Sequence, residues 1–252
     1  MKKKVYYWAP CLNPVGTVKS TINSAKALSK FDKKCEVKII NACGEWNSYR
    51  DDLQLNSVEL IDLNFNYYKI LPKTGFIKSR LSYSIIFFVS FFHLLKLLKK
   101  DKPEILIIHL ITSLPIFILN FFNLDTKFIL RISGFPKLNL LRKLFWSSVS
   151  KKIYKITCPT KELKESLIEK KIFLRDKIFY LPDAIIDIKK FKHQTSNIKL
   201  NLPFDKKKII LATGRLTRQK NFEYLIEEFK KFSEINDNFV LIILGDGEEK
   251  KK

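Results

Sequence analysis

The stretch KIILATGRLTRQKNFEYLIEEF, residues 208–229, joins an apolar run to an amphipathic run through a short polar loop. The run before Gly214 is rich in aliphatic and β-branched residues, which predicts a buried strand. The apolar spacing after the loop predicts a helix from near Asn221 to about Ile235. NFVLIILGD, residues 238–246, predicts a second strand, so this region forms a strand–helix–strand unit with parallel strands.

The first 190 residues repeat this alternation of strand and helix. Apolar runs predict strands at 5–9, 36–41, 57–63, 104–110, 127–133 and 177–183. Helical apolar spacing is clearest at 79–98 and in the basic segment 140–156. Repeated units of this kind build a doubly wound parallel sheet, so we predict an α/β fold.

A polar segment at 189–208 predicts a linker between two domains. We place a Rossmann-like domain at 1–190, the linker at 191–204 and the start of a second Rossmann-like domain at 205–252. Two strands and one helix are too few to bury a core alone. We therefore expect this second domain to be incomplete.

The charge is strongly positive, at +22 from 47 Lys and Arg against 25 Asp and Glu. Residues 126–161 contain nine Lys or Arg and no acid. Such a balance favours anionic partners. The helix predicted near 138–155 carries one stripe suited either to an anionic membrane surface or to the core, formed by Leu141, Leu144, Phe145, Ser148 and Lys152.

Two uncharged stretches, 81–95 and 105–124, leave a membrane-spanning hairpin as an alternative. Pro115 and several polar residues interrupt the second stretch, and buried parallel strands also form unbroken apolar runs. We therefore favour a strand followed by a helix at 105–124.

The compartment is indicated by the N-terminus and the cysteines. MKKKVYYWAPC lacks an apolar run of signal-peptide length. The four cysteines form no CxxC pair and no metal-ligand spacing. We expect a cytoplasmic protein with free thiols and no metal site.

Two places in the chain carry candidate functional residues. Arg215 and Lys220 flank the loop between Gly214 and the predicted helix, whose N-terminus carries partial positive charge. These groups suit a diphosphate, although two solvated surface cations are the alternative. His109 ends a predicted strand, where ligands of open α/β sheets bind, although a structural role is equally open.

The segment TGRLTRQKNFEYLIEEF, followed by LIILGDGE, resembles the second domain of retaining glycosyltransferases of family 4, which have the GT-B fold. NPVGTVKS resembles the glycine loop after the family's first strand, and LPDAIIDIKKF resembles its Pro-Asn-Gly-x-Asp segment with Asp183 and Ala184 in place of Asn-Gly. The likeness extends over the whole chain but is strongest at 211–248.

The resemblance implies transfer of a sugar from a nucleotide-diphosphate sugar with retained anomeric configuration. It implies that Arg215 and Lys220 hold the donor diphosphate, that Gly16 and Gly214 allow close approach to it, and that no metal or other cofactor is required. In relatives a histidine often follows the strand that corresponds to 127–132. Here Ser133 occupies that slot, and His109 on the neighbouring strand is a possible substitute.

The chain also departs from the family at its end, because the Glu-x7-Glu segment that contacts the donor sugar does not occur before Lys252. We therefore expect the 252-residue chain not to turn over. The overall prediction is a GT-B glycosyltransferase of polysaccharide or lipopolysaccharide synthesis, peripheral on the inner face of the cytoplasmic membrane. Its partners would be a nucleotide-sugar, a lipid-linked or saccharide acceptor and the anionic membrane surface.

Two alternatives stay open. One is a non-catalytic basic α/β module that binds anionic membrane or nucleic acid, although no nucleic-acid-binding motif occurs and no such partner is expected. The other is an inactive, truncated glycosyltransferase.

Overall fold

The computed structural model describes residues 2–13, 16–63, 66–73, 76–184, 186, 188 and 207–250. The chain divides into two compact units, Met1–Phe191 and Lys192–Lys252. The linker predicted at 191–204 lies outside the described residues and stays a prediction.

The first unit contains a seven-stranded sheet in which every neighbouring pair of strands is parallel. Its order is β3-β2-β1-β4-β5-β6-β7. The strands are β1 (Lys3–Trp8), β2 (Cys35–Asn41), β3 (Glu59–Asp62), β4 (Ile105–Ile108), β5 (Lys127–Arg131), β6 (Lys155–Cys158) and β7 (Ile178–Tyr180). The predicted doubly wound α/β fold is thereby confirmed.

Helices cover both faces of this sheet. They are α1 (Gly16–Phe31), α2 (Arg50–Gln54), α3 (Phe76–Asp101), α4 (Ser113–Phe121), α5 (Leu140–Val149) and α6 (Lys161–Glu169). Because side chains alternate along a strand, Tyr7 packs into the core beneath α1 and α2, whereas Trp8 packs into the larger core beneath α3 to α6. Because all seven strands are parallel, their carboxyl ends lie along the same side of the sheet. We call this side the functional edge, since ligands of open α/β sheets bind there.

The sequence does not predict strand β6, because the apolar spacing at 140–156 predicts one helix. Val149, Ile153 and Ile156 are spaced four and three apart, which also fits a helical face. In the structure α5 ends at Val149, and Ile156 is paired with Leu130 of β5. Pairing of β6 with β5 therefore decides the structure here, although the apolar spacing fits a helix. Lys152 consequently lies outside α5, the helix on which it was predicted.

The membrane hairpin does not form. Ile105 and Ile108 belong to β4, which pairs with β1 on one side and β5 on the other. Within the described part of the chain, α3 is long and apolar enough to cross a membrane, with a mean hydropathy of 1.8 over its best window. One row of α3 is nevertheless buried in the first unit, formed by Ser82, Ile86, Ser90, Leu94 and Leu98.

The second unit contains β8 (Lys208–Thr213), α7 (Phe222–Ile235) and β9 (Phe239–Leu244). The two strands are parallel, with Lys208 opposite Phe239 and Thr213 opposite Leu244. Phe232 of α7 packs edge-on against Phe239, with 5.1 Å between ring centroids. This is the strand–helix–strand unit predicted from 208–246. No residue between 207 and 250 is fully buried, so the unit has only a small core of its own.

Candidate functional site

His109 lies directly after β4, at the point where the strand order reverses between β1 and β4. Its backbone N–H donates to the carbonyl oxygen of Trp8 across 2.9 Å. Its Nδ1 lies 3.1 Å from the hydroxyl oxygen of Thr21 on α1. The predicted strand-end position of His109 is therefore correct, and it is the position where open α/β sheets bind ligands.

The hydrogen bonds around Thr21 assign the proton of the imidazole. The Thr21 hydroxyl donates its one hydrogen to the carbonyl oxygen of Thr17 across 2.8 Å. Its oxygen is therefore the acceptor toward His109, so Nδ1 carries the proton and Nε2 keeps a lone pair. Burial, and secondarily the positive charge of Arg131, lowers the pKa of His109 to about 4. The imidazole is consequently neutral at physiological pH.

A second polar group at the same edge is the ion pair between Arg131 and Asp183, which sequence reasoning missed. Arg131 ends β5 and is only 5% exposed. Its Nε donates to Asp183 Oδ1 across 3.0 Å, and its terminal nitrogens donate to the carbonyl of Leu181 and the hydroxyl of Thr157. Ser20 of α1 also donates to Asp183. The available signal was a cation within the apolar run KFILRIS, since buried charges are nearly always paired.

Of the two other residues predicted in the first unit, only Gly16 lies beside this cluster. Gly16 is the first residue of α1, one turn before Ser20 and Thr21, and a Cβ built on it meets no atom of a described residue within 4 Å. No described side chain therefore occupies the space beside Gly16 at the helix N-terminus. Ser133 is exposed beyond β5 and makes no side-chain hydrogen bond to a described residue. The structure does not bring Ser133 to His109 through any described contact.

In the second unit, the loop from Gly214 to Asn221 presents both predicted cations. Backbone bonds close it as successive turns, from Thr217 N–H to the Arg215 carbonyl and from Lys220 N–H to the Thr217 carbonyl, each 2.9 Å. Asn221 adopts the left-handed conformation, with φ of 51°, and α7 begins at the next residue. Arg215 and Lys220 are exposed, and neither forms an ion pair with any residue in the described part of the chain.

Gly245 and Gly247 allow the backbone of this loop to contact the segment that follows β9. The Leu216 N–H donates to the Asp246 carbonyl across 3.0 Å, and the Glu249 N–H donates to the Leu216 carbonyl across 3.1 Å. A Cβ on Gly245 would overlap the carbonyl oxygen of Gly214, and one on Gly247 would overlap the backbone of Leu216. The Gly-Arg-Leu and Gly-Asp-Gly-Glu motifs are therefore in direct backbone contact.

Neither metal chemistry nor thiol chemistry is indicated by the described residues. Over the described ranges, no group of three or more His, Cys, Asp or Glu side chains is placed to hold a metal ion. Burial raises the pKa of Cys11 to about 12 and of Cys158 to about 11, so both thiols are protonated at neutral pH and are poor nucleophiles.

Comparison with known proteins adds family information. Residues 194–252 match the family described as Glycosyl transferases group 1. Over 180 residues the chain is 31% identical to an uncharacterized glycosyltransferase of Methanocaldococcus jannaschii, MJ1059, and the match covers 64% of this chain and 44% of that protein. The chain therefore spans less than half the length of this relative.

Solved structures with a similar fold include TarM from S. aureus, at a TM-score of 0.67 and 12% identity, covering 100% of this chain and 73% of TarM. They also include a UDP-GlcNAc 2-epimerase from Neisseria meningitidis, at a TM-score of 0.57 and 17% identity, covering 96% of this chain and 65% of the epimerase. At these identities the likeness concerns the fold alone. The chain therefore has a GT-B-like α/β fold, and its residues 194–252 match the group 1 glycosyltransferases.

Proposed function

We propose that the protein transfers a sugar from a nucleotide-diphosphate sugar to a lipid-linked saccharide or a surface polysaccharide precursor, with retention of anomeric configuration. The match of residues 194–252 to group 1 glycosyltransferases and the glycosyltransferase relative support transfer over a non-catalytic basic module. The observation that carries the proposal is the glycine-held loop that presents Arg215 and Lys220 at the start of α7.

This loop suits a departing diphosphate. The leaving group gains negative charge as the glycosidic bond breaks, so cations fixed nearby lower the barrier. The Arg215 guanidinium can donate two parallel hydrogen bonds to a phosphate, and the Lys220 ammonium adds a compact positive charge. The first turn of α7 adds free backbone N–H groups. The backbone contacts of Gly245 and Gly247 hold the loop before a ligand arrives, which reduces the cost of ordering it on binding.

His109 serves as a positioning residue in this proposal. A general base is most effective when its pKa lies near the operating pH, and a pKa of about 4 makes this imidazole a weak base. Its neutral Nε2 is instead suited to accept a hydrogen bond. Ser20 and Thr21 of α1 are buried beside it and fix Asp183 and His109 by hydrogen bonds, and Gly16 begins the same helix.

Three further features belong to the proposal. Charge neutralisation by Arg215 and Lys220 removes the need for a metal ion, so chelators should leave donor binding unchanged. With a nucleotide-sugar donor and a lipid-linked acceptor, the proposed location is the cytoplasm, peripheral on the inner face of the membrane. The structure of a TarM variant from S. aureus contains UDP and α-GlcNAc-glycerol, which makes UDP the first nucleotide to test.

Calorimetric titration of the 252-residue chain with UDP, GDP and ADP tests the diphosphate site. Replacing Arg215 or Lys220 with alanine should weaken binding by about 1.5–3 kcal/mol, the range for hydrogen bonds to charged groups. Arg218→Ala is the matched control, because this exposed arginine lies on the same loop and is not assigned to the diphosphate. Unchanged affinity in both test variants would return Arg215 and Lys220 to solvated surface cations.

Acceptor and stereochemistry need a separate assay. Because the chain covers 44% of its relative and is itself expected not to turn over, this assay uses a chain extended to the relative's length. A radiolabelled sugar should then pass from the donor to the organic-extractable fraction of membranes, and the anomeric coupling of the product should match that of the donor. Label confined to the aqueous phase would contradict the lipid-linked acceptor, and an inverted coupling would contradict retention.

A further inference from the structure

The outer side of α3 and the end of α4 carry three solvent-exposed phenylalanines. Phe88, Phe92 and Phe121 are 72%, 74% and 62% exposed, and we refer to them as the aromatic face. Phe88 and Phe92 are one turn apart, on the side of α3 opposite the buried row that contains Ile86 and Leu94. The aromatic face is therefore the solvent side of a helix that is anchored by its other side.

A chain of ring contacts makes this face one continuous surface. Phe92 packs edge-on against Phe91 with 4.9 Å between centroids, and Phe91 lies 5.8 Å from Phe117 of α4. Phe117 in turn lies 4.6 Å from Phe121. Half-buried rings thus support the exposed ones, so α3 and α4 present a single apolar patch instead of scattered hydrophobic residues.

Lysines border the patch at the C-terminal end of α3. Phe92 and Leu95 line a shallow concavity of about 530 Å³ together with Lys96, Lys99 and Lys100. The Lys99 ammonium lies 5.4 Å from the centroid of the Phe122 ring. The acid of α3, Asp101, accepts a hydrogen bond from the hydroxyl of Tyr6. The rim of the patch is therefore positively charged.

We infer that the aromatic face is a docking surface for an anionic lipid bilayer, with the phenylalanine rings at the boundary of the acyl chains and the lysines among the headgroups. Apolar rings beside cations are the composition of interfacial helices, and each cation near an anionic surface adds to binding. Because α3 keeps its buried row in the core of the first unit, it lies on the membrane and does not cross it.

Charge favours a lipid surface over a second copy of the chain. In a two-fold dimer the same patch would occur on both partners, and α3 and α4 of the second copy would offer the lysine rim no carboxylate other than Asp101. The acid nearest to this rim in sequence, Asp101, is already bonded to Tyr6. Anionic headgroups provide the complementary charge directly.

The inferred surface differs from the stripe that the sequence placed on α5. Of that stripe, Leu141, Leu144 and Ser148 are exposed, whereas Lys152 lies beyond the end of α5 and donates to the Asn120 carbonyl. The inference extends the proposed membrane location to named side chains. It does not depend on sugar transfer, because vesicle binding is measured without a donor.

A tryptophan reporter tests the inference in the whole chain. Trp8, Trp46 and Trp146 are buried, so they respond weakly to added lipid. In Phe92→Trp, emission should shift to shorter wavelength with phosphatidylcholine vesicles containing about one-third phosphatidylglycerol, and brominated acyl chains should quench it. Phe31→Trp is the matched control, because Phe31 is 81% exposed at the end of α1 on the other face of the sheet. Equal responses from the two variants, or none from Phe92→Trp, would overturn the inference.

Co-sedimentation with the same vesicles gives a second test. The triple variant Phe88→Ser/Phe92→Ser/Phe121→Ser should lower partitioning at least about tenfold, whereas Phe31→Ser should leave it unchanged. Replacing Lys96, Lys99 and Lys100 with glutamine should remove most of the salt dependence of partitioning into the vesicles. Partitioning of the triple variant at the wild-type level would overturn the inference. Sedimentation velocity gives a second check: a dimer of the wild type that the triple substitution dissociates would also overturn it. Equal wild-type binding to neutral vesicles would overturn the anionic part.

Discussion

Arg131 and Asp183, which are 52 residues apart in the chain, form an ion pair in which the Arg131 side chain is 5% exposed and the Asp183 side chain is 18% exposed. The pair joins the end of β5 to the segment after β7, and Ser20 ties α1 to the same carboxylate. Three elements at the functional edge of the first unit are thereby joined to one another through the Asp183 carboxylate.

Removing one partner of this pair should be costly. Asp183→Ala leaves a buried guanidinium without its carboxylate, so the free energy of unfolding of the first unit should fall by about 3–5 kcal/mol. Urea denaturation followed by the fluorescence of the buried tryptophans measures this change. The control is Asp52→Ala, which breaks the more exposed Lys26–Asp52 pair and should cost about 1 kcal/mol or less. Equal losses of unfolding free energy in the two variants would show that the buried Arg131–Asp183 pair is no more costly to break than an exposed pair.

His109 should make the first unit less stable in mild acid. The folded protein keeps this imidazole neutral down to a pKa of about 4, whereas the unfolded chain takes up a proton near pH 6.5. The unfolded state therefore binds more protons between these values, and the free energy of unfolding should fall by about 3 kcal/mol as the pH drops from 6.5 to 4.

The matched variant is His109→Asn, whose amide can still donate to the Thr21 hydroxyl but does not titrate. Denaturation curves at pH 7.5, 6.0, 5.0 and 4.5 should show a smaller pH dependence in this variant than in the wild type, and the difference isolates His109 from the carboxylates that titrate at lower pH. Parallel curves, or an NMR titration of His109 with a midpoint near 6.5, would contradict the assignment.

The success of the sequence predictions depended on whether the deciding contacts are local. Strand β4 was predictable because Ile105–Ile108 is an unbroken apolar run that ends in a polar residue. Strand β6 was not, because Ile153 and Ile156 fit a helical period as well, and only pairing with β5 decides between the two. The sequence marks Asp183 only as a departure from a family pattern, since the residues next to it in the chain do not indicate that Arg131 is its partner.

The same limit applies to the two motifs of the second unit. Sequence reasoning placed Arg215 and Lys220 on a loop before a helix, and the structure has them there. The backbone contact between Leu216 and Gly247 joins separate loops, so it could not be read from either motif alone.

Substituting the glycines after β9 should therefore disturb the loop that carries Arg215. Gly245→Ala introduces a Cβ that overlaps the Gly214 carbonyl, and Gly247→Ala introduces one that overlaps the Leu216 backbone. Both variants should speed hydrogen exchange at 211–220 and weaken nucleotide-diphosphate binding. Gly134→Ala is the control, because its Cβ meets no atom within 4 Å in the part of the chain that the structure describes. Normal exchange and affinity in both test variants would show that the loop does not depend on this contact.

Gly16→Ala separates a structural glycine from one that is needed for ligand approach. Among the described residues no atom lies within 4 Å of a Cβ at Gly16, and alanine is a better helix former than glycine, so the variant should be at least as stable as the wild type. If the N-terminus of α1 approaches a phosphate as the family resemblance implies, the added methyl group should nevertheless weaken nucleotide-diphosphate binding. Thermal melts and calorimetry on Gly16→Ala, with Gly134→Ala as the matched control, measure both quantities. Unchanged affinity together with unchanged stability would remove Gly16 from the donor site, and a loss of stability would mean that its role is structural.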